Sequence, residues 1–257
     1  TNVPYLKRGN QDSALKKWLS EHYPLGKTDL ATAFVERCID LCEISQYGGG
    51  TISVVAPQNW LFLTSYKKLR KNLIKKRSWN LLARLGPNAF ETIGGEVVNV
   101  ALYSISRPKP SETHLLRGVD ALDGSDHEKK EKLLLKDDVV ELAQEDQLDN
   151  PDSRVLLVDL KHSELLEDYA RGLQGISPAD FPHFGRQFWE VNPIIDDWYL
   201  WQGSVDDTKA FGGRSRVLWV NDDLEDAVRA GKAYIRGHEA WGQWGVSVAQ
   251  MSDLPAT

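Results

Sequence analysis

Over the first fifty residues, the apolar positions follow a helical period and then a strand-like run. The segment KTDLATAFVERCIDLCEI predicts a helix of about four turns with Thr28 or Asp29 as its cap. Its predicted apolar stripe consists of Leu30, Phe34, Cys38, Leu41 and Cys42. Three glycines at positions 48–50 end the helix. The β-branched run TISVVAP then predicts a buried strand that ends at Pro57.

The next fifty residues repeat this order. SYKKLRKNLIKK predicts a second helix whose inward residues are Tyr66, Leu69, Leu73 and Ile74. SWNLLARL and GEVVNVALYSI predict two strands joined by the loop GPNAFETIGG. The order helix, strand, helix, strand, strand predicts an α/β fold, the second half of a doubly wound sheet that closes with a hairpin.

Beyond Arg107 the pattern becomes polar. We expect residues 108–153 to form a surface connector with one helix, KDDVVELAQEDQL. SRVLLVDL predicts a strand. The segment that follows is rich in Trp and Gly, and only LEDAVRAGKAYI is clearly helical there, which is typical of a loop-rich module with aromatic anchors. The predicted domains are therefore 1–107, 108–153 and 154–257.

The charge distribution separates the parts of the chain. The net charge of −6 combines a basic stretch, residues 1–107, with 15 Lys and Arg against 8 Asp and Glu, and two acidic stretches, residues 108–168 with 8 against 17 and residues 169–257 with 8 against 12. This division permits a nucleic-acid surface on one part only. No apolar run approaches the roughly 20 residues of a membrane span, and no secretory signal is present, so we expect a cytoplasmic protein. Cys38 and Cys42, the two cysteines, are expected to be reduced, buried thiols; the alternative, a metal site, would need two more ligands.

The first six residues, TNVPYL, contain an Asn-x-Pro-Tyr tetrapeptide. Pro4 holds Val3 extended, so the turn presents the Asn2 side chain and the Val3 carbonyl in one rigid arrangement. Two such acceptors suit an exocyclic NH₂ group, because accepting both hydrogens favours a pyramidal, nucleophilic nitrogen. Tyr5 offers a face for a base flipped out of a duplex. The loop therefore suits methylation of a planar amino group; the alternative is an ordinary strand-ending turn.

Six stretches, in order along nearly the whole chain, resemble the adenine-specific DNA methyltransferases of BREX phage-defence systems, relatives of type IIG restriction-modification proteins. They are NVPYL, KTDLATAFVERCIDLC, GGGTISVVAPQNWLFLTSYKKLRKNLI, WNLLARLGPNAFETIGGEVVNVAL, GISPADFPHFGRQFWEV and FGGRSRVLWV. The resemblance implies that residues 1–107 are the C-terminal half of a Rossmann-like class I methyltransferase sheet. It also implies that residues 154–257 begin a mixed, loop-rich α+β target-recognition domain. We expect the chain to be a fragment that is inactive alone.

The resemblance also implies roles for individual residues. Asn2 and the Val3 carbonyl resemble the pair that holds the adenine N6 amine, with Pro4 shaping the loop and Tyr5 stacking on the base. The family usually has Pro at the position of Val3, and the departure is compatible with the role because this position contributes its carbonyl. Phe90 is similar in position to the residue that covers the other face of the base; the alternative is a packed core Phe. Gln58, Asn59 and Trp60 follow a strand end and are expected to line the rim of the site.

The implied cofactor is S-adenosylmethionine, and no metal is expected. In the family, its Gly-containing loop and acidic residue precede the tetrapeptide, so we expect them upstream of Thr1. The implied partners are double-stranded DNA with a flipped adenine and other defence-system proteins. The expected DNA contacts are Lys67, Lys68, Arg70, Lys71, Lys75 and Lys76 on the basic helix, and Arg186, Arg214 and Arg216 in the last module. The alternative for the lysines is a solvated helix face.

Three other functions compete with this interpretation. The same tetrapeptide serves enzymes that methylate a glutamine side-chain amide, although the long acidic segment and the Trp-rich module argue against their smaller architecture. Pro151-Asp152 and Asp159-Leu160-Lys161 imitate a PD…(D/E)xK nuclease, with little room for the turn that such a site needs. A DNA-binding or scaffolding remnant without catalysis is the third alternative. No residue here has the nucleophile-plus-base arrangement of covalent catalysis.

Overall fold

The computed structural model describes residues 1–45, 48–90, 98–161, 163–249 and 254–257. The chain divides into two compact units, Thr1–Ser163 and Glu164–Thr257. The α-helices are α1 (Ser13–His22), α2 (Leu30–Leu41), α3 (Lys67–Lys76), α4 (His127–Lys136), α5 (Phe181–Phe184) and α6 (Asp222–Arg229). The strands are β1 (Ile44–Ser45), β2 (Gly48–Gly49), β3 (Thr51–Pro57), β4 (Ser78–Gly86), β5 (Val100–Ser106), β6 (Leu115–Asp120), β7 (Val140–Ala143), β8 (Gly185–Gln187), β9 (Trp198–Trp201) and β10 (Arg216–Trp219).

The first unit is built on a mixed five-stranded sheet in the order β3-β5-β4-β6-β7. β5 is antiparallel to both β3 and β4, β4 is parallel to β6, and β6 is antiparallel to β7. On the edge of β3 that does not pair with β5, Asn2 forms an isolated parallel bridge with Val55. The segment at Asn2, β3, β4 and β6 therefore run in the same direction, so their carboxyl ends meet at one edge of the sheet.

Helices α2 and α3 pack on one face of this sheet. β3 alternates strictly on that face, where Ile52, Val54 and Ala56 are buried. Val35 of α2 and Leu69 of α3 belong to the same core cluster, as do the rings of Trp60, Trp79 and Tyr103. The mixed α/β fold predicted from the periodicity is therefore confirmed, as are the positions of both helices and the inward face of α3.

The predicted apolar stripe of α2 is confirmed for Cys38 and Cys42, which pack against the main core, and is wrong for Phe34 and Leu41. Val35 and Ile39 are 1% and 2% exposed, whereas Phe34 and Leu41 are 37% and 64% exposed. The helix carries two apolar stripes about 100° apart, and periodicity alone does not decide which one meets the sheet. The sheet takes the stripe with β-branched residues, which lose little rotamer freedom when buried.

The predicted connector, residues 108–153, is part of the first unit. β6 and β7 extend the main sheet, and the helix lies at α4 rather than at KDDVVELAQEDQL, which forms β7 and the 3₁₀ turn Glu145–Leu148. Asp126 caps the N-terminus of α4, and its side chain accepts a hydrogen bond from Lys129 N at 2.9 Å. Leu133 and Leu134 of α4 pack against the buried residues Leu85, Val100 and Ala121. The polar composition of this segment suggested a surface connector, but two leucines are enough to pack α4 against the first unit.

The predicted strand SRVLLVDL is also wrong. Val155 and Leu157 are buried and Val158 is exposed, so the alternation exists, but these residues pair with no strand among those described. Val155 N donates to Leu61 O at 3.0 Å. Leu157 packs directly over Gly118, where a Cβ atom would collide with its side chain. The segment is an extended strap that packs on the core without joining the sheet.

The second unit contains a small antiparallel sheet in the order β8-β10-β9. Its core consists of Phe184, Leu218, Leu224 and Ala233. The predicted helix over LEDAVRAGKAYI is confirmed in its first part, as α6, and the chain turns at Gly231, whose φ is +70°. The rings of Trp198 and Trp219 stack with centroids 6.1 Å apart. No described helix is long and apolar enough to cross a membrane.

Candidate active site

The tetrapeptide Asn2–Tyr5 lies alongside β3. Thr1 N donates to Ser53 O at 2.6 Å, and Val55 N donates to Thr1 O at 3.0 Å. Val3 is 5% exposed and its side chain belongs to the main core, whereas Asn2 and Pro4 are exposed. Within the described part of the chain, neither the Asn2 side chain nor the Val3 carbonyl accepts a hydrogen bond. No donor from the described chain therefore occupies either acceptor.

Tyr5, the last residue of the tetrapeptide, packs against the sheet. Its hydroxyl donates to Val55 O at 3.4 Å, and its ring packs against the main core and against the cluster of Leu85, Val100 and Ala121. Burial, followed by the charge of Asp29, raises the pKa of Tyr5. The phenol therefore stays neutral near pH 7, and its role is restricted to packing and hydrogen bonding.

The backbone after Tyr5 is bound to the start of α2. Leu6 N donates to the Asp29 carboxylate at 3.3 Å, and Leu30 N donates to Leu6 O at 3.0 Å. Thr28 or Asp29 was predicted as the helix cap, and the structure has Asp29, whose side chain accepts a hydrogen bond from Ala31 N at 2.9 Å. Its contact with Leu6 was missed, because local sequence signals do not reveal a partner 23 residues away.

Gln58, Asn59 and Trp60 follow the carboxyl end of β3, in the 3₁₀ turn Gln58–Leu61. Trp60 is 1% exposed and donates from Nε1 to the Tyr103 hydroxyl at 3.0 Å, so the prediction that Trp60 lines the rim is wrong. It is a core residue because the turn directs its ring onto Trp79 and Tyr103, with centroid distances of 5.4 and 5.3 Å. Gln58 is also buried, and its Oε1 has no hydrogen-bond partner in the described chain. Asn59 is exposed.

Phe90 lies in the loop after β4 and is 36% exposed. The preceding Ala89 packs against the same cluster of Leu85, Val100 and Ala121 as Tyr5. Asn88 has a positive φ of 57°, and its side-chain amide donates to Ser125 O at 3.4 Å. Residues 91–97, the rest of the predicted loop and the start of the predicted strand, lie outside the described residues.

Arg84 and Asp120 form an ion pair at the same edge of the sheet, which sequence reasoning missed. Arg84 Nη1 lies 3.0 Å from Asp120 Oδ2, and the guanidinium lies 5.0 Å from the centroid of the Phe62 ring. Both residues are the last or nearly the last of parallel strands, β4 and β6. A prediction that β4 and β6 are parallel neighbours would have placed Arg84 beside Asp120. The sequence analysis did not predict that these two strands pair.

The basic face of α3 is only partly available. Lys68, Lys71, Lys75 and Lys76 are exposed, whereas Lys67 pairs with Asp152 at 2.8 Å. Arg70 is fully buried, so the prediction that it contacts DNA is wrong. Its guanidinium donates to the carbonyls of Trp60, Leu63, Asp152 and Ser153 at 2.6 to 3.0 Å. Burial lowers the pKa of Arg70 to about 10.

The three arginines predicted to contact DNA from the second unit are exposed. Arg214 lies over the Phe211 ring at 5.1 Å, and Arg216 lies over the Phe181 ring at 4.9 Å. Arg186 donates to the carbonyl of Pro182 at 2.8 Å. Cation–π packing of this kind orients a guanidinium while leaving its edge free to donate.

The residues of the nuclease alternative have other partners. Asp152 accepts hydrogen bonds from Lys67 and Thr64, both at 2.8 Å, which lowers its pKa. Lys161 pairs with Asp146 at 2.8 Å. No group of three or more His, Cys, Asp or Glu suited to a metal ion occurs in the described ranges. Cys38 and Cys42 are free thiols, and burial raises the pKa of Cys38.

Comparisons with known proteins show what the chain is similar to. Residues 1–90 match the sequence model of the Eco57I restriction-modification methylases. This part of the chain is therefore similar in sequence to those methylases. The adenine-specific methyltransferase PglX of Lacticaseibacillus casei is 35% identical over 42% of this chain, and the adenine-specific methyltransferase BrxX of Escherichia coli O9:H4 is 31% identical over 40%. The resemblance predicted from the sequence is therefore confirmed.

The match covers only a small share of these relatives, 9% of PglX and 8% of BrxX. The type IIL restriction-modification enzyme MmeI, solved in complex with DNA, matches the fold with a TM-score of 0.52 over 90% of this chain and 30% of its own, at 14% identity. At this identity, the similarity concerns the fold alone. Because the chain spans so little of these relatives, the comparisons do not by themselves assign an activity to a whole protein that contains it.

Proposed function

We propose that this chain is part of an adenine-N6 DNA methyltransferase of a restriction-modification or BREX phage-defence system. Residues 1–107 form the C-terminal half of a class I methyltransferase sheet, β6, α4 and β7 extend it, and the second unit begins the target-recognition domain. The order of the Asn2 segment, β3, β5 and β4, with β5 as the inserted antiparallel strand, supports this assignment. The observation that carries the proposal is the pair of free acceptors at Asn2 and Val3 beside β3.

The proposed chemistry follows from this pair. The Asn2 side-chain oxygen and the Val3 carbonyl accept the two hydrogens of an adenine N6 amine, which localises the nitrogen lone pair for attack on a methyl group. The side chain of Val3 is buried, so only its backbone faces the base. Tyr5 stacks on one face of the flipped adenine and Phe90 covers the other, with Asn59 and Gln58 at the rim. The methyl is transferred directly, without a covalent enzyme intermediate.

The methyl donor of this reaction is S-adenosylmethionine, and the described residues do not supply the Gly-containing pocket that it requires. Gly48 and Gly49 form β2, and Gly50 leads into β3 and not into a helix. Gly124, in the turn before α4, packs against Lys130. We propose that residues outside this chain hold the donor and that this chain contributes the acceptor side.

Double-stranded DNA is the proposed substrate. Lys68, Lys71, Lys75 and Lys76 present four exposed cations on one helix, which suits phosphate contacts. Arg186, Arg214 and Arg216 are the proposed DNA contacts of the second unit. Other proteins of the defence system are proposed partners of the intact enzyme.

Mass spectrometry of genomic DNA tests the proposal. The full-length gene that carries this chain, expressed with its operon, should produce N6-methyladenine, and Asn2→Ala should abolish it. Asn10→Ala, at another exposed asparagine, is the matched control and should leave the mark unchanged. Absence of the mark with the intact operon would overturn the enzyme proposal in favour of a non-catalytic DNA-binding protein.

A further inference from the structure

We propose that Asp29 is the positioning residue of the tetrapeptide Asn2–Tyr5. Its carboxylate fixes the first turn of α2 and, at the same time, the backbone that leaves Tyr5. The inference rests on the proposed function of the tetrapeptide and adds a residue from a different element, at the start of α2.

The contacts of Asp29 extend beyond those of a helix cap. A cap residue needs one acceptor for the free N–H groups of the first turn. Asp29 Oδ1 accepts from Ala31 N at 2.9 Å, and the same atom accepts from Leu6 N at 3.3 Å. Asp29 therefore links two segments of the first unit through one oxygen atom.

The surrounding backbone reinforces this link. Lys7 and Asp29 form an antiparallel bridge, flanked by Leu30 N donating to Leu6 O at 3.0 Å and Arg8 N donating to Thr28 O at 2.9 Å. The Gln11 side-chain amide also donates to Leu6 O, at 3.0 Å. Both polar backbone groups of Leu6 are consequently bound, which restricts the direction in which the chain leaves the tetrapeptide.

The carboxylate lies in a protected environment. Asp29 is 9% exposed, and it forms no ion pair with any described residue. The carboxylate accepts from backbone amides, and burial, followed by the charge of Asp29, raises the pKa of Tyr5 and Tyr66. The Thr32 hydroxyl donates to the backbone carbonyls of Gly26 and Asp29. A buried carboxylate without a cation depends on such N–H donors and on the helix N-terminus. Removing it would leave Leu6 N and Ala31 N without acceptors.

The tetrapeptide is thereby held at both ends. Thr1 and Asn2 are held by β3 through Ser53 and Val55, and Leu6 is held by Asp29. Pro4 removes further freedom between these anchors. Because misplacement of a reacting group by about 1 Å can cost on the order of 100-fold in rate, release of one anchor should be visible in the methyl-transfer step.

Two substitutions separate positioning from capping. Asp29→Ser keeps a good N-cap oxygen, yet its side chain is one bond too short to serve Leu6 as well. Asp29→Asn keeps an oxygen at the position of Oδ1 and can accept both hydrogen bonds. Asp12→Ala removes the cap of α1, which accepts from Leu15 N at 2.7 Å and forms no hydrogen bond with residues 2–6. It controls for the loss of a cap alone.

The experiment measures single-turnover methylation and the KM for DNA in the full-length protein, with the thermal unfolding temperature of each variant. We expect Asp29→Ser to slow methyl transfer by about 10-fold or more with KM nearly unchanged. Asp29→Asn and Asp12→Ala should stay within about threefold of the wild-type rate. A wild-type rate for Asp29→Ser would overturn the inference, and so would an Asp29→Asn variant that is as slow as Asp29→Ser.

Asn2→Ala, measured beside these variants, separates this inference from the proposed function. If Asn2→Ala methylates DNA like the wild type, the role of the tetrapeptide is wrong and Asp29 has nothing to position. If Asn2→Ala is inactive while Asp29→Ser is as fast as Asp12→Ala, the proposed function stands and the role of Asp29 is wrong.

Discussion

Two buried side chains of opposite charge, Asp29 and Arg70, each hold irregular backbone near the carboxyl edge of the main sheet. Asp29 binds the backbone N–H groups of Leu6 and Ala31, whereas Arg70 binds four backbone carbonyls of the segments 60–63 and 152–153. An anion selects amides and a cation selects carbonyls, so a protein can tie an irregular segment to a helix with either charge. The number of bonds differs, and we expect the energetic consequences to differ in proportion.

Removal of Arg70 should have the largest effect on stability. Arg70→Ala leaves four carbonyls with water or no partner and opens a cavity, and we expect it to lower the free energy of unfolding by about 3–5 kcal/mol. Urea unfolding followed by tryptophan fluorescence measures this change. Lys71→Ala, on the exposed face of the same helix, should change stability by less than about 0.5 kcal/mol. Equal effects of the two variants would show that the buried guanidinium does not hold the strap.

Asp29→Ala should have the next largest effect. It removes a helix cap and the acceptor of Leu6 N, and we expect the free energy of unfolding to fall by about 2–3 kcal/mol. Asp12→Ala removes only a cap and should cost about 1 kcal/mol. Thermal and urea unfolding of both variants give the difference, which measures the link to Leu6. No difference between them would mean that the two capping residues are equivalent.

Glu36, also on α2, is a carboxylate in a different environment. Burial, followed by repulsion from Asp40, raises the pKa of Glu36 to about 7, from an ordinary value of 4.5. The folded state therefore binds the proton more tightly, so this stability is fully present below pH 4.5 and is lost as the pH rises through 7. We expect the free energy of unfolding to fall by about 1–2 kcal/mol between about pH 5 and pH 8, and Glu36→Gln to remove this decline. An unchanged pH profile in Glu36→Gln would contradict the assignment.

The exposed lysines of α3 should have the smallest effect on stability. Replacing Lys68, Lys71 and Lys75 with Gln should leave the free energy of unfolding unchanged and weaken DNA binding by the full-length protein. The plot of the logarithm of the DNA association constant against the logarithm of the salt concentration has a negative slope. Its magnitude should decrease by about 0.9 for each phosphate that the variant no longer neutralises. Arg70→Lys is the matched variant of the buried cation and should leave this slope unchanged. An unaltered slope in the lysine variants would show a solvated face.

The sequence predicted the parts of this edge that depend on local signals. The strand before Pro57, both helices and the cap at Asp29 follow from period and capping chemistry, and the structure has them. The burial of Arg70 was not predictable, because its carbonyl partners at 152 and 153 lie 82 and 83 residues away. Contacts between distant parts of the chain also determine that residues 115–120 join the sheet and that residues 155–158 do not. Periodicity predicts which face of a segment is buried, but it does not predict which part of the protein packs against that face.

The site shows the same division. Asn2, Val3 and Tyr5 could be chosen from the tetrapeptide alone, and the free acceptors of Asn2 and Val3 leave the proposed roles available. Trp60 could not be judged, because the direction of its ring depends on Tyr103 and Trp79 across the sheet. The DNA contacts of the second unit stay predictions, as does the role of Phe90.

The most direct test of the central claim is a single-turnover methylation assay with the purified full-length protein, in which the product base is identified. We expect N6-methyladenine from the wild type and from Asn10→Ala, and a decrease of at least about 100-fold in rate for Asn2→Ala with DNA binding retained. An Asn2→Ala variant that forms N6-methyladenine at the wild-type rate would contradict the claim that Asn2 and the Val3 carbonyl hold the reacting amine.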